Sequence, residues 1–231
     1  DRADEYGRTP LFIACENGHV DAVRLLLEKG AAVDRADKND WTPLDIAKSQ
    51  GHLSIVALLG GQLGLPLHVA AGTGDVDAMT QLLDGGAAVD LTRVDGEMPL
   101  HIACGNGHVD AARLLLDKGA EVDRANQNGT TPLYVACQNG HVDAARLLLD
   151  KGAEVDRATE DSRTPLFVAC SNGHVDAARL LLDNGAEVDR SGDDGATPLW
   201  IACQEGHVDA ARLLLDRGAD VHTADSNNCT L

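Results

Sequence analysis

The stretch GHVDAARLLLDKGAEVDRA (107–125) sets apolar Val109, Ala111, Ala112, Leu114, Leu115 and Leu116 against a single polar line of Asp110, Arg113 and Asp117. Polar residues spaced i, i+3 and i+7 share one stripe of a helix, where opposite charges become neighbours. All other faces are apolar, more than an ordinary amphipathic stripe. This predicts a helix buried against a hairpin mate and against two further neighbours. Asp110 in the first turn suits the positive end of the helix dipole. A shorter apolar segment precedes each such helix, for example PLYVACQN (132–139), opened by Thr131 and Pro132 and closed by Gly140. Threonine caps helix N-termini, proline is tolerated at the first helical position, and glycine takes the left-handed conformation that ends helices. A helix of about two turns is therefore predicted ahead of the longer one.

The pattern is periodic. The 107–125 sequence returns almost letter for letter at Gly140 and Gly173, closely at Gly206, altered at Gly18 and degraded at Gly51 and Gly74, giving a 33-residue period and about seven copies. A fixed period of this size signals stacked units that each touch only their neighbours. Gly-Ala pairs (119–120, 152–153, 185–186, 218–219) end the longer helices, and the alternation Glu121, Val122, Asp123, Arg124 predicts a short extended arm. Turn signals at Asp95-Gly96, Asn128-Gly129 and Asp194-Gly195 then predict a projecting β-hairpin finger.

Gly-x-Thr-Pro-Leu, then Ala, then Gly-His, then Leu-Leu and Gly-Ala at this period resemble the ankyrin repeat over essentially the whole chain. The resemblance implies a mainly α repeat solenoid, an ankyrin-type stack of helix pairs with projecting β-hairpin fingers. It also implies a single domain over residues 1–231, whose concave side of fingers and first helices binds other proteins. The repeats fall at approximately 4–36, 37–60 (shortened), 61–92 (finger lost), 93–125, 126–158, 159–191 and 192–224, with a partial eighth at 225–231. Pro66 follows Pro43 by only 23 residues, so one finger is expected to be missing near residues 60–65. There Leu65 replaces the capping threonine, Gly60 a helix-ending leucine and Asp75 the histidine, which makes this the expected weakest seam. In the family a histidine after Thr-Pro-Leu helps knit helix starts together; it survives only as His68 and His101, and with Phe12, Asp45, Tyr134, Phe167 and Trp200 elsewhere those particular bonds are not expected, without threat to the fold. Asp1-Arg2-Ala3 match the end of a finger segment and Thr230-Leu231 open another copy, so the array is expected to belong to a longer protein.

The net charge of −18 would repel nucleic acid and anionic membranes, leaving a protein partner, basic or mixed in charge, as the expectation. No apolar run long enough to cross a membrane and no basic, apolar leader are present, which predicts an intracellular, cytoplasmic location. Cys15, Cys104, Cys137, Cys170 and Cys203 recur at one position of the repeat and read as small, reduced core residues. His19, His52, His108, His141, His174 and His207 recur likewise. Equivalent residues on stacked helices run parallel, about 8–10 Å apart, and cannot converge on one metal ion. A structural role, bonding neighbouring backbone, is expected for them. No cofactor, metal or catalytic motif is recognisable, and copied residues mark packing, so no enzyme activity is expected.

Residues that differ between copies are the candidates for partner binding: Glu5, Tyr6, Arg8, Glu16, Lys38, Trp41, Asp95, Glu97, Glu160, Asp161, Arg163, Asp193, Asp194, Glu205 and Trp200. They lie at finger tips and on first helices, and nine are acidic against three basic, which predicts an acidic groove. Tyr6 and Trp41 are the strongest anchors, because exposed aromatic residues dominate interfaces. The array is expected to be a monomer, with end-to-end stacking through uncapped apolar ends as the competing state. The competing function is a spacer or regulatory arm of a longer enzyme, channel or ligase adaptor.

Overall fold

The computed structural model of the protein describes residues 3–33, 35–52, 55–56, 58–59, 66–93 and 96–222. The short helices begin where Thr-Pro predicts them. The hydroxyls of Thr9, Thr131, Thr164 and Thr197 accept the N–H groups of Phe12, Tyr134, Phe167 and Trp200 at 3.1–3.2 Å. They open the helices Pro10–Glu16, Pro132–Gln138, Pro165–Ser171 and Pro198–Gln204. A cap of this type is worth about 1 kcal/mol. Pro43–Ser49 has a fuller version, since Asp45 also accepts the Thr42 N–H at 3.1 Å. Pro66–Thr73 and Pro99–Gly105 complete the short set. The longer helices are Val20–Glu28, Val76–Asp84, Val109–Asp117, Val142–Asp150, Val175–Asp183 and Val208–Asp216. Among the described residues there are thirteen such helices and no strand.

The chain divides into two compact units, Asp1–Val69 and Ala70–Leu231. The division falls inside the helix Pro66–Thr73, next to the contracted stretch. The contraction itself, with the expected loss of a finger and the substitutions at Gly60 and Leu65, lies outside the described residues. In the first unit Leu11, Cys15, Val23, Ala47, Ile55 and Leu59 are fully buried in one core with Phe12, Ala14 and Ile46. In the second unit the helices Pro99–Gly105, Pro132–Gln138, Pro165–Ser171 and Pro198–Gln204 pack in succession. The longer helices from Val76–Asp84 to Val208–Asp216 form a parallel row behind them. Leu100, Leu133, Leu166 and Leu199, at one position of the first helices, are at most 1% exposed. Full burial of each leucine contributes about 1.5–3 kcal/mol.

The Gly-His pair shows why copies must stack to be stable. Gly140 has φ +73°, and a Cβ there would lie 2.6 Å from Nδ1 of His174 in the next copy. Glycine is thus required both by backbone conformation and by the imidazole that covers it. The histidines reach back to the preceding copy: Nε2 lies 3.1 Å from a carbonyl oxygen at His52 to Glu16, His108 to Gly72 and His207 to Ser171. Because a carbonyl only accepts, Nε2 carries the proton in each. This is the structural role expected from the spacing. Asn106, Asn139 and Asn172 add side-chain amide bonds to the carbonyls of Gly72, Gly105 and Gln138 at 2.9–3.1 Å. His101 bridges differently, its Nδ1 accepting the Met98 N–H at 3.3 Å and its Nε2 donating to Thr130 O at 2.9 Å.

Three expectations are corrected. The longer helices are not buried on every face but their polar stripe: Ala111, Ala112 and Leu115 are buried, whereas Val109, Leu114 and Leu116 are half-buried. Of the recurring cysteines, Cys15, Cys104, Cys137 and Cys170 are buried free thiols but Cys203 is exposed. The segment Glu121–Arg124 is a turn, not an extended arm, with the Arg124 N–H donating to Glu121 O at 3.4 Å. Within this turn the carboxylate of Asp123 accepts the Glu154 N–H of the next copy at 3.0 Å.

Candidate functional site

The variable residues cluster on turns of one geometry. In each, residue i donates its N–H to the carbonyl of i+4, and i+3 donates back to the carbonyl of i. Asp4, Asp37, Arg93, Asn126, Thr159 and Gly192 occupy position i. Residue i+3 has positive φ, as a three-residue hairpin loop with a bulge requires. It is glycine at Gly7, Gly96, Gly129 and Gly195, but Asp40 (φ 62°) and Ser162 (φ 61°) in two turns. A side-chain acceptor at position i braces the loop, with Asp4 accepting from Tyr6 and Arg8, and Asp37 from Asn39 and Trp41. The bond from the Trp41 N–H, ahead of the loss of water, holds the Asp37 carboxyl below its ordinary range. Successive turns are tied by backbone bonds: Lys38 N–H to Tyr6 O at 3.0 Å, Glu160 N–H to Asn128 O at 3.3 Å and Asp193 N–H to Asp161 O at 3.2 Å. These bonds tie neighbouring turns within each unit, and no strand is present among the described residues.

In the first unit two of these turns and the end of the helix Pro10–Glu16 bring Tyr6, Arg8, Glu16 and Trp41 around one open pocket of about 370 Å³. Tyr6 is 56% and Trp41 43% exposed. The Arg8 guanidinium stacks over the Tyr6 ring at 5.1 Å, binds Asp4 at 2.9 Å and approaches Glu16 at 3.5 Å. Phe12 and Asp37 also line the pocket and were not among the sequence candidates. Phe12 is a core residue, 3% exposed. Asp37 heads an Asx turn, accepting the Asn39 N–H two residues on, but the left-handed residue after it is Asp40 rather than glycine, so the aspartate itself is the only signal in the sequence.

A second group forms around Arg163, which binds Asp161 at 3.1 Å and Asp194 at 3.4 Å and stacks over Phe167 at 5.2 Å. Glu160, Asp161, Asp193 and Asp194 are exposed on its turns. Burial is the main reason the Tyr134 phenol beside it is raised above its ordinary range. The remaining candidates are scattered: Glu97 faces Arg93 at 3.8 Å, Glu205 accepts from the neighbouring Gln204, and Trp200 is half-buried. Asp95 lies outside the described residues.

Away from the fingers, the last aspartate of the polar stripe pairs with the basic C-cap residue of the next copy in three places. Lys118 binds Asp84 at 2.7 Å, Lys151 binds Asp117 at 2.8 Å and Arg217 binds Asp183 at 2.8 Å. Burial pushes the thiols of Cys15, Cys137 and Cys170 up to about 12, so these cysteines are packing residues and poor nucleophiles. Among the described residues no group of three or more His, Cys, Asp or Glu side chains could hold a metal ion. Nor is any described helix long and apolar enough to cross a membrane.

Compared with curated proteins, the sequence finds no match. A model of ankyrin repeats, three copies long, matches residues 1–64, 67–159 and 154–225. With paired helices, Thr-Pro caps and histidine ties in place across those residues, the chain belongs to the ankyrin-repeat family.

Proposed function

We propose that the chain is a protein-binding module that engages its partner through the finger turns and the adjoining first helices. Ankyrin repeats serve generally as protein–protein interaction modules. The observation that carries the choice of surface is the gathering of exposed Tyr6 and Trp41 with charged side chains at one pocket. On the longer helices, by contrast, no aromatic side chain joins the charges, and the last aspartates Asp84, Asp117 and Asp183 are held in pairs between copies. The nine acidic candidates and the net charge of −18 favour a partner with a basic contact region over nucleic acid. In this reading the module acts as a monomer inside the cell and carries no catalysis of its own.

Capture from an extract of the source organism tests the surface. The partner is expected to be retained by the wild-type chain, lost with Y6A/W41A, kept with R113A/R146A on the longer helices, and weakened by salt. Loss with the helix variant and retention with Y6A/W41A would move the site to the other face. Capture of nothing at low or high salt would favour a spacer role.

A further inference from the structure

We propose that the pocket between the first two finger turns receives a basic side chain, lysine or arginine, of the bound protein. This inference rests on the proposed interaction surface and adds the chemistry of its central contact.

Three carboxylates, those of Asp4, Glu16 and Asp37, stand in the neighbourhood of the single Arg8 guanidinium. Among the residues that line the pocket, one positive group, Arg8, stands against two negative ones, Glu16 and Asp37, and Arg8 is also paired with Asp4. Arg8 satisfies Asp4 closely, with Nε at 3.0 Å and a terminal nitrogen at 2.9 Å, but only approaches Glu16, at 3.5 Å. Asp37 spends one oxygen on the Asn39 and Trp41 N–H groups, while its other oxygen has a single long bond of 3.3 Å from the Asn39 side-chain amide. Glu16 and the second oxygen of Asp37 thus keep acceptor capacity for a further donor. The aromatic walls fit the same ligand. A cation against an indole or phenol face gains about 0.5–2 kcal/mol, most when water is excluded. Arg8 already lies over Tyr6, so Trp41 is the ring left for an incoming cation. A volume of about 370 Å³ is at the small end of ligand pockets and leaves room for a side chain rather than a folded element. A partner carboxylate is disfavoured here, since the pocket's one cation is already held by Asp4.

Titration of the 231-residue chain with small probes, followed through the indole N–H resonances of its two tryptophans, tests the pocket. N-acetyl-arginine methylamide or N-acetyl-lysine methylamide is expected to shift the Trp41 signal saturably and leave Trp200 in place. N-acetyl-leucine methylamide and N-acetyl-glutamate methylamide are expected to shift neither. E16Q, which preserves shape, should weaken the cationic probe about fivefold without altering the rest of the spectrum. The two cationic probes separate lysine from arginine. Absence of a saturable Trp41 shift with both, or an equal response to the leucine probe, overturns the proposal. If Y6A/W41A abolishes partner capture while the cationic probes fail, the interaction surface stands and only the basic-side-chain assignment falls.

Discussion

The first unit and the regular copies of the second use the same helix positions for different ends. Leu147, Leu180 and Leu213 are 5%, 6% and 5% exposed, but Leu25, at the equivalent position of the first long helix, is 56% exposed. Gly140 and Gly51 share φ +73°, yet a Cβ on Gly140 would strike the His174 ring, as one on Gly18 would strike His52, whereas nothing lies within 4 Å at Gly51. First-helix starts differ as well. Asp45 closes a capping box on Thr42 in the first unit, while His101 spans from Met98 to Thr130 in the second. Where a neighbouring copy covers them, as at Leu147 and Gly140, copied residues are consumed by contacts between copies. At Tyr6, Arg8 and Trp41, where the sequence departs from the repeat, side chains are turned to the surface. Phe12 departs from the repeat and is nonetheless buried, so a departure marks the candidate site only where it is also exposed.

The largest test of that contrast is a pair of alanine substitutions at one helix position. Leu147→Ala should cost about 2–5 kcal/mol in denaturant unfolding, and Leu25→Ala less than about 0.5 kcal/mol. Equal losses would show that the exposure difference does not persist in solution. A smaller separation is expected at the glycines. Gly51→Ala should cost the left-handed penalty alone, about 1–2 kcal/mol. Gly140→Ala should cost more by about 1 kcal/mol, because the His174 ring must also move. Identical values would mean that the imidazole contact is soft.

The smallest effect, and the one that distinguishes the units most finely, is with pH. In the second unit burial raises the Asp90 and Asp156 carboxyls, against the N–H bonds from Glu121 and Glu187; Glu121 and Glu187 raise them further, and Arg124 and Arg190 oppose this. One oxygen of Asp156 is buried without a hydrogen-bond partner. A carboxyl raised in the folded state takes up its proton there first. Its contribution therefore improves as pH falls from neutral through the raised value towards the ordinary aspartate value near 3.9. In the first unit Asp45 is lowered, chiefly by the Thr42 hydroxyl, and Asp37 by the Trp41 N–H. Their stabilisation is complete above the ordinary value and is lost as pH falls through the lowered one. Asp117, lowered by Lys151, behaves the same way within the second unit. Melting curves from pH 7 downward should show an early gain that D90N/D156N removes. The later loss should be reduced in D45N. An unchanged gain in D90N/D156N would assign it to relief of the overall charge of −18 instead.

The amino-acid sequence by itself determined the period, the helix pairs, the Thr-Pro starts and the glycine stops. These depend on backbone conformation and local capping, which a few adjacent residues decide. It also pointed to Tyr6 and Trp41, because they interrupt a copied background. The tertiary structure alone decided which charges pair. Asp117 neighbours Arg113 along its own helix, but binds Lys151 of the next copy. It likewise decided that Phe12 is core while Trp41 is exposed, that Cys203 departs from its four buried equivalents, and that Asp37 joins Glu16 at one pocket. Each of these depends on what a neighbouring copy places against the residue. That distance in space is set by stacking, and no spacing along the chain records it.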